Sequence, residues 1–308
     1  MTNFADRLST ALQQKKTPVL VGLDPRWEQL PTCLKTGRNA KDRNDQAQAY
    51  VEFCNGVIEA VAPLVAVVKP QAAFFEELGP AGMNALAAVM QTAREHGLLV
   101  VLDGKRNDIG STAYAYAHGY LGNETNSGWG VDALTVSPYL GDDSLTPFVD
   151  VAKERGCGIF VLVKTSNPGG KMFQDLTCDG QPLYRQVANY VEHLATETVG
   201  ECGYGAIGAV VGATYPAQLA ELRAAMPHTF FLVPGYGAQG GGAADVAAAF
   251  DERGLGAIVN NSRGIIFAHA SKRFEHFGDA NWQRAVEAAT HEMIDQIRCG
   301  TNAGKLSA

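Results

Sequence analysis

The sequence lacks the features of secreted, membrane-spanning and nucleic-acid-binding proteins. No apolar run approaches the roughly 20 residues that cross a bilayer, and the first residues, MTNFADRLSTALQQKK, do not place a basic segment before an apolar one. Acidic side chains outnumber basic ones by 32 to 25, whereas a general binder of nucleic acid or of membrane surfaces needs a basic face. We therefore expect a cytoplasmic protein that binds neither.

Cysteine is scarce and is not spaced like a metal site. No two cysteines form a C-x-x-C pair, and none lies at zinc-ligand spacing with the seven histidines. The cysteines are Cys33, Cys54, Cys157, Cys178, Cys202 and Cys299. We expect idle thiols in a reducing compartment and no bound metal.

The overall composition is typical of a well-packed globular protein. Hydrophobic residues make up 46% of the 308 residues and charged residues 19%, a balance that neither disordered nor fibrous chains have. A chain of this length forms either one large α/β domain or two ordinary ones. The order of its segments has to decide between these possibilities.

Eight short apolar segments, each ending in polar residues, glycine or proline, recur along the chain and predict β-strands. They are PVLVGLD (18–24), VAVVKPQ (65–71), LLVVLDGK (98–105), DALTVSP (132–138), GIFVLVKTS (158–166), IGAVVGAT (207–214), TFFLVPGYG (229–237) and GAIVNNSRG (256–264). Segments with helical periodicity lie between them, as in YPAQLAELRAAM (215–226). This alternation predicts a parallel sheet that is buried on both faces.

Eight such units without a linker favour a single α/β domain over residues 1–308, a closed (β/α)₈ TIM barrel, with an open doubly wound sheet as the alternative. The polar segment 26–45, which carries several lysines and arginines, interrupts the pattern after the first strand and predicts an inserted loop with a short helix. The last residues, 299–308, are expected to form a short, frayed tail.

A glycine-rich segment, FLVPGYGAQGGG (231–242), carries the pattern G-x-G-x-x-G and allows two interpretations. A dinucleotide-binding fingerprint opens the first βα unit and is followed about 20 residues later by an acidic residue. Here the pattern follows the seventh predicted strand, and the next strand ends in NNSRG (260–264), with a cation in place of the carboxylate. This favours the phosphate site that barrels build from the loops after strands 7 and 8.

Charged residues stand at the carboxyl ends of the predicted strands, where barrel enzymes bind their ligands. The densest group lies in VVLDGKRNDIGST (100–112). Because residues i and i+2 of a strand point to the same face, Asp103 and Lys105 are expected to project together into the mouth, with Asp108 beyond the strand. An ion-pair network that only stabilises the rim is the alternative. Lys69, at the end of the preceding strand, argues against it, since apolar residues would stabilise the rim as well.

The segment VVLDGKRNDIGST resembles the D-x-K-x-x-D-I signature of the orotidine 5′-phosphate decarboxylases. The motifs GLDP, VKPQ, VKTSNPGG, PGYGAQGG and VNNSRGI follow in that family's order, with the longer insertions of its bacterial type 2 subfamily, over roughly residues 18–268. The resemblance implies a homodimeric (β/α)₈ barrel with shared active sites. It also implies conversion of orotidine 5′-phosphate to UMP and CO₂, the last step of de novo UMP biosynthesis, without a metal or an organic cofactor.

The resemblance further implies a role for each matching residue. Lys105 is the proton donor to C6 of the pyrimidine, Asp103 lies against the leaving carboxylate, and Lys69 bridges the carboxylates and the ribose. Asp108 enters the active site of the neighbouring subunit. The other matching residues bind the substrate: Asp24 the ribose, Thr112 the ribose across the dimer, Ser166 the pyrimidine ring, and Gln239 and Arg263 the phosphate.

Ammonium and carboxylate groups at these positions suit a decarboxylation. Loss of CO₂ leaves an electron pair in an in-plane orbital at C6 that the ring cannot delocalise, so a fixed positive charge has to stabilise it. A lysine supplies this charge and then the proton. A carboxylate about 4 Å from the substrate carboxylate repels it by roughly 4 kcal/mol at an effective dielectric of 20. That repulsion disappears as CO₂ leaves.

Three other interpretations remain open. Lys164, near a strand end, could form a Schiff base as in aldolase barrels, although its segment VKTSN (163–167) is polar. A synthase or sugar-phosphate decarboxylase of the same barrel superfamily also uses a D-x-K strand, but it needs Mg²⁺ to stabilise an enediolate. A nucleotide-phosphate sensor that has lost turnover is the non-catalytic alternative.

Overall fold

All eight segments predicted as strands form strands in the computed structural model, which describes residues 2–237 and 241–307. Most of their residues are buried because neighbouring strands and covering helices exclude water from both faces. The strands are β1 (Val19–Leu23), β2 (Val67–Pro70), β3 (Leu99–Arg106), β4 (Ala133–Val136), β5 (Gly158–Lys164), β6 (Ile207–Val211), β7 (Phe231–Val233) and β8 (Ala257–Asn261).

The eight strands form one closed parallel barrel in chain order, and β8 pairs with β1 to complete it. In the register between β1 and β2, Gly22 lies opposite Lys69, and between β1 and β8, Val19 lies opposite Val259. The prediction of a (β/α)₈ barrel is confirmed. The open doubly wound sheet is excluded because closure leaves this sheet without an edge.

Helices connect the strands and cover the outside of the barrel. The α-helices of the described residues are α1 (Phe4–Lys15), α2 (Thr32–Lys35), α3 (Arg43–Val61), α4 (Ala72–Glu76), α5 (Pro80–Glu95), α6 (Gly110–Tyr120), α7 (Thr146–Arg155), α8 (Lys171–Gln174), α9 (Leu183–Thr196), α10 (Pro216–Ala225), α11 (Ala243–Val246), α12 (Arg263–Ile266) and α13 (Trp282–Gly300). Within the described ranges, no helix combines the length and apolarity needed to cross a bilayer.

Shorter elements complete the chain. A small antiparallel hairpin pairs Thr177–Cys178 with Gln181–Pro182. Single turns of 3₁₀-helix occupy Trp27–Gln29, Pro168–Gly170, Ala247–Ala249, Ala268–Ala270, Glu275–Phe277 and Asp279–Asn281, and a longer one occupies Asn302–Ser307.

Helix α9 illustrates how the polar and apolar pattern produces a covering helix. Its buried residues Tyr184, Ala188, Val191 and Ala195 recur at spacings of three and four, which places them on one face. That face packs against β5 and β6, and the opposite face meets solvent. The same periodicity that predicted a helix therefore also determines which side of it covers the barrel.

Helix α1 packs its first residue into the amino-terminal end of the barrel. The Phe4 ring lies edge-on to Phe160 of β5, with 6.1 Å between the ring centroids. Gly158, at the start of the same strand, makes this possible, because a Cβ atom there would lie 2.2 Å from the Phe4 ring. Gly208 of β6 does the same for Phe160, whose ring would lie 2.5 Å from a Cβ at that position. Aromatic rings thus occupy the inside of this end, and the glycines leave room for them.

The polar segment 26–45 contains one turn of 3₁₀-helix and α2 before α3 begins. The backbone N–H groups of Thr32 and Cys33 donate to the Asp279 carboxylate at 3.0 and 3.3 Å. The segment is therefore tied to the connection between α12 and α13, on the same side of the barrel as β1 and β8.

The carboxyl-terminal segment does not fray as expected. Its 3₁₀-helix, Asn302–Ser307, contacts α13 and α1. Ala303 is buried, Leu306 is nearly so, and Lys305 Nζ donates to the carbonyl oxygen of Glu252 at 2.8 Å. The expectation was wrong because the apolar side chains of Ala303 and Leu306 are buried where this segment contacts α13 and α1.

Candidate active site

Charged side chains from β2 and β3 meet inside the carboxyl-terminal mouth of the barrel. Lys69 Nζ on β2 donates to Asp103 Oδ2 on β3 at 2.8 Å, and Lys105 Nζ donates to Asp103 Oδ1 at 2.6 Å. Lys69 and Asp103 are buried, whereas the Lys105 side chain is 47% exposed. The structure thus brings three of the predicted residues together, as one carboxylate held between two ammonium groups.

Burial and charge oppose each other in this cluster. Burial acts to lower the pKa of Lys69, but the carboxylates of Asp103 and Asp24 outweigh it and raise that pKa above its usual value. Burial acts to raise the pKa of Asp103, but the ammonium groups of Lys69 and Lys105 hold it well below its usual range. Both buried groups are therefore charged at neutral pH.

The backbone at Lys105 departs from the regular strand that the alternation argument assumes. The ladder between β3 and β4 pairs Leu102 with Leu134 and next pairs Arg106 with Val136, so three residues of β3 oppose one of β4. Lys105 has a φ of +46°, in the left-handed region that favours glycine. The side chains of Asp103 and Lys105 meet as expected, but for a different reason. A β-bulge brings them together, whereas the prediction assumed a regular strand whose alternate residues share a face.

Two polar residues that the sequence reasoning missed complete the surroundings of Asp103. Thr135 of β4 donates through Oγ1 to Oδ1 at 2.9 Å, and Gln71 donates through Nε2 to Oδ2 at 3.3 Å. Thr135 is the polar residue of ALTV (133–136), and Gln71 ends VKPQ (68–71). A search for polar side chains within or just after apolar strands would have found both.

A cavity of about 330 Å³ opens beside these charges. Besides the charged residues, one polar group of residues and one apolar group line it. The polar group consists of Thr165, Ser166 and Asn167, and the apolar group consists of Leu162, Val210, Leu232 and Pro234. Ser166 therefore lies near the charges, just beyond the carboxyl end of β5. A flat ring with polar groups along one edge suits this combination of walls.

A smaller cavity of about 190 Å³ adjoins the first and shares Lys69 and Asp103 with it. Asp24 and Arg263, which follow β1 and β8, both line it. The Asp24 Oδ1 atom is buried and has no hydrogen-bond partner among the described residues. Because a buried acceptor without a donor is unfavourable, this atom suits a hydroxyl group of a ligand.

Arg263 supplies a positive charge at the far side of the smaller cavity. Its side chain is exposed and, within the described part of the chain, lies within 4 Å of no carboxylate. Asn261, two residues earlier, accepts a hydrogen bond from the Gly264 N–H through Oδ1 at 3.2 Å and orders the backbone around the arginine. A guanidinium in this position can bind an anionic group of a ligand.

Gly235 and Gly237 turn the chain after β7, and Gln239 lies outside the described residues. Gly235 and Gly237 have φ values of +101° and +73°, which side chains rarely adopt. The Gly237 N–H donates to the carbonyl oxygen of Gly241 at 2.8 Å. Gly235 lines the same cavity as Arg263. The dinucleotide interpretation of G-x-G-x-x-G is wrong because it requires an open sheet and the first βα unit.

Asp108 and Thr112 do not join the charged cluster of their own chain. Asp108 Oδ1 accepts a hydrogen bond from the N–H of Ile109 at 2.8 Å, and Thr112 is exposed on α6. Ile109 and Tyr114 beside them are 57% and 41% exposed. Both predicted residues thus lie on an outer surface that carries exposed apolar side chains.

Lys164, at the end of β5, faces away from the mouth. It is buried and pairs with Asp175, and its Nζ atom lies 5.1 and 4.9 Å from the ring centres of Tyr184 and Tyr215. The register between β5 and β6 shifts between Leu162 and Lys164, which removes the lysine from the face that Leu162 presents to the cavity. This placement argues against the Schiff-base interpretation.

The thiols and the possible metal ligands lie apart from one another. All six cysteines are free, and Cys54 and Cys157 are buried. Burial raises the pKa of the Cys54 thiol, and it raises that of Cys157 to about 11, so both stay protonated at neutral pH. Over residues 2–237 and 241–307, no three His, Cys, Asp or Glu side chains are grouped closely enough to hold a metal ion.

Fold and site together define a class of protein. A closed parallel barrel with charged side chains at the carboxyl ends of its strands, and a glycine-rich loop after strand 7, is the architecture of barrel enzymes that bind phosphorylated small molecules. The model of the orotidine 5′-phosphate decarboxylase / HUMPS family matches residues 17–273. The chain belongs to this decarboxylase family, as its motifs predicted.

Relatives match over nearly the whole chain. The chain is 56% identical to orotidine 5′-phosphate decarboxylase of Rhodopirellula baltica, with 97% of this chain and 100% of the relative covered. It is 46% identical to the Deinococcus radiodurans enzyme of the same name, with 86% and 89% covered. The solved structure of Leishmania donovani OMP decarboxylase is 34% identical, has a TM-score of 0.74, and covers 97% of this chain and 98% of its own.

Proposed function

We propose that this chain decarboxylates orotidine 5′-phosphate to UMP and CO₂, as the carboxy-lyase of the last step of de novo UMP biosynthesis. The observation that carries the proposal is the buried Asp103 carboxylate held between the ammonium groups of Lys69 and Lys105, at 2.8 and 2.6 Å, in the wall of a cavity. Membership of the family supports it.

The proposed reaction needs only groups of the protein and solvent. The bond from C6 of the pyrimidine to the carboxylate carbon breaks, its electron pair stays on C6, and CO₂ leaves. The Lys105 ammonium then transfers a proton to C6, becomes a neutral amine and regains a proton from solvent. Asp103 repels the substrate carboxylate until CO₂ has left, and its charge keeps the buried Lys69 protonated.

The remaining parts of the substrate are assigned to the two cavities. The pyrimidine occupies the larger cavity, with Ser166 hydrogen-bonded to the ring. The ribose lies between the cavities, where its hydroxyl groups meet Lys69 and the Asp24 Oδ1 atom, for which residues 2–237 and 241–307 supply no hydrogen-bond partner. Gln239 and Arg263 bind the phosphate. Binding energy from a remote phosphate can close the surrounding loops and so increase the rate as well as the affinity.

We also propose a homodimer with shared active sites, in which Asp108 and Thr112 of each subunit complete the site of the other. The exposed Ile109 and Tyr114 next to them support this arrangement, because burying apolar side chains favours association. The enzyme is proposed to act in the cytoplasm on a small-molecule substrate, without metal, cofactor, nucleic acid or membrane. A sensor that binds the nucleotide without turnover is the alternative.

The decisive experiment follows the absorbance of orotidine 5′-phosphate with purified protein. We expect rapid conversion that persists in EDTA for the natural sequence, almost none for Lys105→Ala, and unchanged conversion for Lys153→Ala, an exposed lysine paired with Glu197. Equal rates for the Lys105→Ala variant would overturn its role. Loss of activity in EDTA would favour the magnesium-dependent synthase, and a stable complex that releases no CO₂ over hours would favour the sensor.

The shared site is tested by mixing two inactive variants. Lys105→Ala and Asp108→Ala chains are expected to recover part of the activity, because each hybrid dimer contains one intact site. Subunit exchange is verified independently with differently tagged chains. No recovery after verified exchange contradicts the assignment of Asp108 to the neighbouring site.

A further inference from the structure

Thr135 lies at the one place where the ladder between β3 and β4 loses its regular register. Leu134 and Val136 each have a partner on β3, and Thr135, between them, faces the three bulged residues of that strand. Its side chain is buried, with 1% of the residue exposed. A buried hydroxyl is unfavourable unless it is hydrogen-bonded.

Both capacities of the Thr135 hydroxyl are directed at the catalytic residues. Its Oγ1 donates to Asp103 Oδ1 at 2.9 Å and accepts the backbone N–H of Lys105 at 2.9 Å. Asp103 Oδ1 is also the atom that accepts from Lys105 Nζ at 2.6 Å. One hydroxyl group therefore holds the carboxylate and the backbone from which the lysine extends.

The backbone of Lys105 needs such support. A residue with a side chain at φ +46° is strained and persists only where its surroundings determine it. In a regular parallel ladder, backbone carbonyls of the neighbouring strand would accept the N–H groups of β3. In the bulge, the side chain of Thr135 takes the place of such a carbonyl for Lys105.

We propose that Thr135 is a positioning residue for the decarboxylation, which fixes the Lys105 ammonium and the Asp103 carboxylate relative to each other. The inference rests on the proposed function. A displacement of about 1 Å in a reacting group can lower a rate by about 10²-fold, so the hydroxyl should affect turnover far more than substrate binding.

The test compares Thr135→Val, which keeps the shape and removes the hydroxyl, with Thr135→Ser, which keeps the hydroxyl. We expect the valine variant to lose about 10- to 100-fold in kcat with KM changed by less than about threefold. The serine variant should stay within about fivefold of the natural sequence in kcat. The matched control is Thr290→Val, a buried threonine of α13 whose Oγ1 donates to the carbonyl oxygen of Val286 at 2.8 Å, and it should leave both constants unchanged.

Each outcome decides the proposal. Loss in both the valine and serine variants, or in neither, overturns it, as does a loss confined to KM. If the valine variant does not fold, Thr135→Cys, a weak donor of similar size, should fall between serine and the inactive state. If the natural protein itself shows no turnover, the proposed function fails. The crystal structure of the valine variant then decides: an unchanged Lys105 φ and an unchanged contact between Lys105 Nζ and Asp103 contradict the positioning role.

Discussion

The two ends of the barrel both carry an aspartate paired with a cation, and they use it differently. At the amino-terminal end, Asp132 pairs with Arg7 of α1 at 2.6 Å, at the rim of an apolar plug. At the carboxyl-terminal end, Asp103 is buried between Lys69 and Lys105 and faces a cavity. The first pair adds to a packed surface, whereas the second concentrates charge next to space for a ligand.

This difference separates stability from function along the barrel axis. The plug of Phe4, Gly158 and Phe160 brings two aromatic rings into edge-on contact, which adds to stability. The mouth has buried charges, a strained backbone at Lys105 and an Asp24 carboxylate oxygen that has no hydrogen-bond partner in the described part of the chain. Such features are unfavourable for folding and are retained where they serve binding or catalysis.

The largest expected effect is the loss of kcat when the aspartate at the carboxyl-terminal end is replaced. The same replacement at the amino-terminal end should not change kcat. Asp103→Asn should lower kcat by at least about 10²- to 10³-fold, because the neutral amide neither balances the charge of the buried Lys69 nor repels the substrate carboxylate. Asp132→Asn, the matched change at the amino-terminal end, should leave kcat unchanged. The measurement is turnover of orotidine 5′-phosphate by folded protein. Similar losses in both variants would contradict the separation.

The next effect concerns the plug. Phe4→Ala should lower the free energy of unfolding by about 3–5 kcal/mol, because it leaves a cavity against Phe160, and kcat per folded molecule should not change. Phe173→Ala removes a ring that is 53% exposed on α8 and serves as the control for stability, with an expected change below about 0.5 kcal/mol. Urea unfolding measures both. A loss of kcat in Phe4→Ala at full folding would show that the two ends are coupled.

A smaller effect is expected on stability, and it tests the backbone strain at Lys105. Lys105→Ala and Lys105→Gly both lack the ammonium, so both should be inactive, but only the glycine variant relieves the φ of +46°. We expect the glycine variant to be more stable than the alanine variant by about 1 kcal/mol, the usual penalty of a side chain in the left-handed region. Equal urea midpoints would indicate that this backbone is unstrained.

The smallest effect is the pH dependence of stability near neutrality. The depressed pKa of Asp103 means that its stabilising contribution is fully present above the unfolded value of about 3.9 and is lost as pH falls through the folded value. The raised pKa of Lys69 means that its contribution is fully present below about pH 10.4 and is lost as pH rises through the folded value.

Between those limits the pair should give no pH dependence. The difference in unfolding free energy between the natural protein and Asp103→Asn should shrink as pH falls below about 4, because the carboxylate then loses the charge that the amide never had. Thermal or urea unfolding over this range measures it. A difference that does not shrink between about pH 4 and pH 2 would mean that Asp103 is less strongly held than its contacts indicate.

The barrel could be predicted because its strands are buried on both faces and therefore appear as continuous apolar runs. The order of the strands follows from the helical crossovers between them. The place of the glycine-rich pattern after strand 7, with a cation after strand 8, argued against a dinucleotide site and predicted a phosphate site. The frayed tail was predicted wrongly, since its packing surface is contributed by distant helices.

Two lysines at strand ends show where sequence reasoning stops. Strand alternation places Lys105 beside Asp103 and gives Lys164 the same face as Leu162. A register shift on β3 brings Lys105 to the carboxylate with a left-handed backbone, whereas a register shift on β5 places Lys164 outside the mouth, against Tyr184. Neither shift is visible in the local sequence, because a bulge depends on the pairing with the neighbouring strand.

The sequence by itself determined the closed barrel, the identity of the charged residues and the end of the barrel at which they gather, because these follow from burial patterns and from strand order. The tertiary structure decided how the charges are held. Thr135 and Gln71 contact Asp103 only because β4 and the end of β2 lie beside β3. Hydrogen bonds between residues more than 30 positions apart depend on the register of the strands, and that register is established only when the barrel closes.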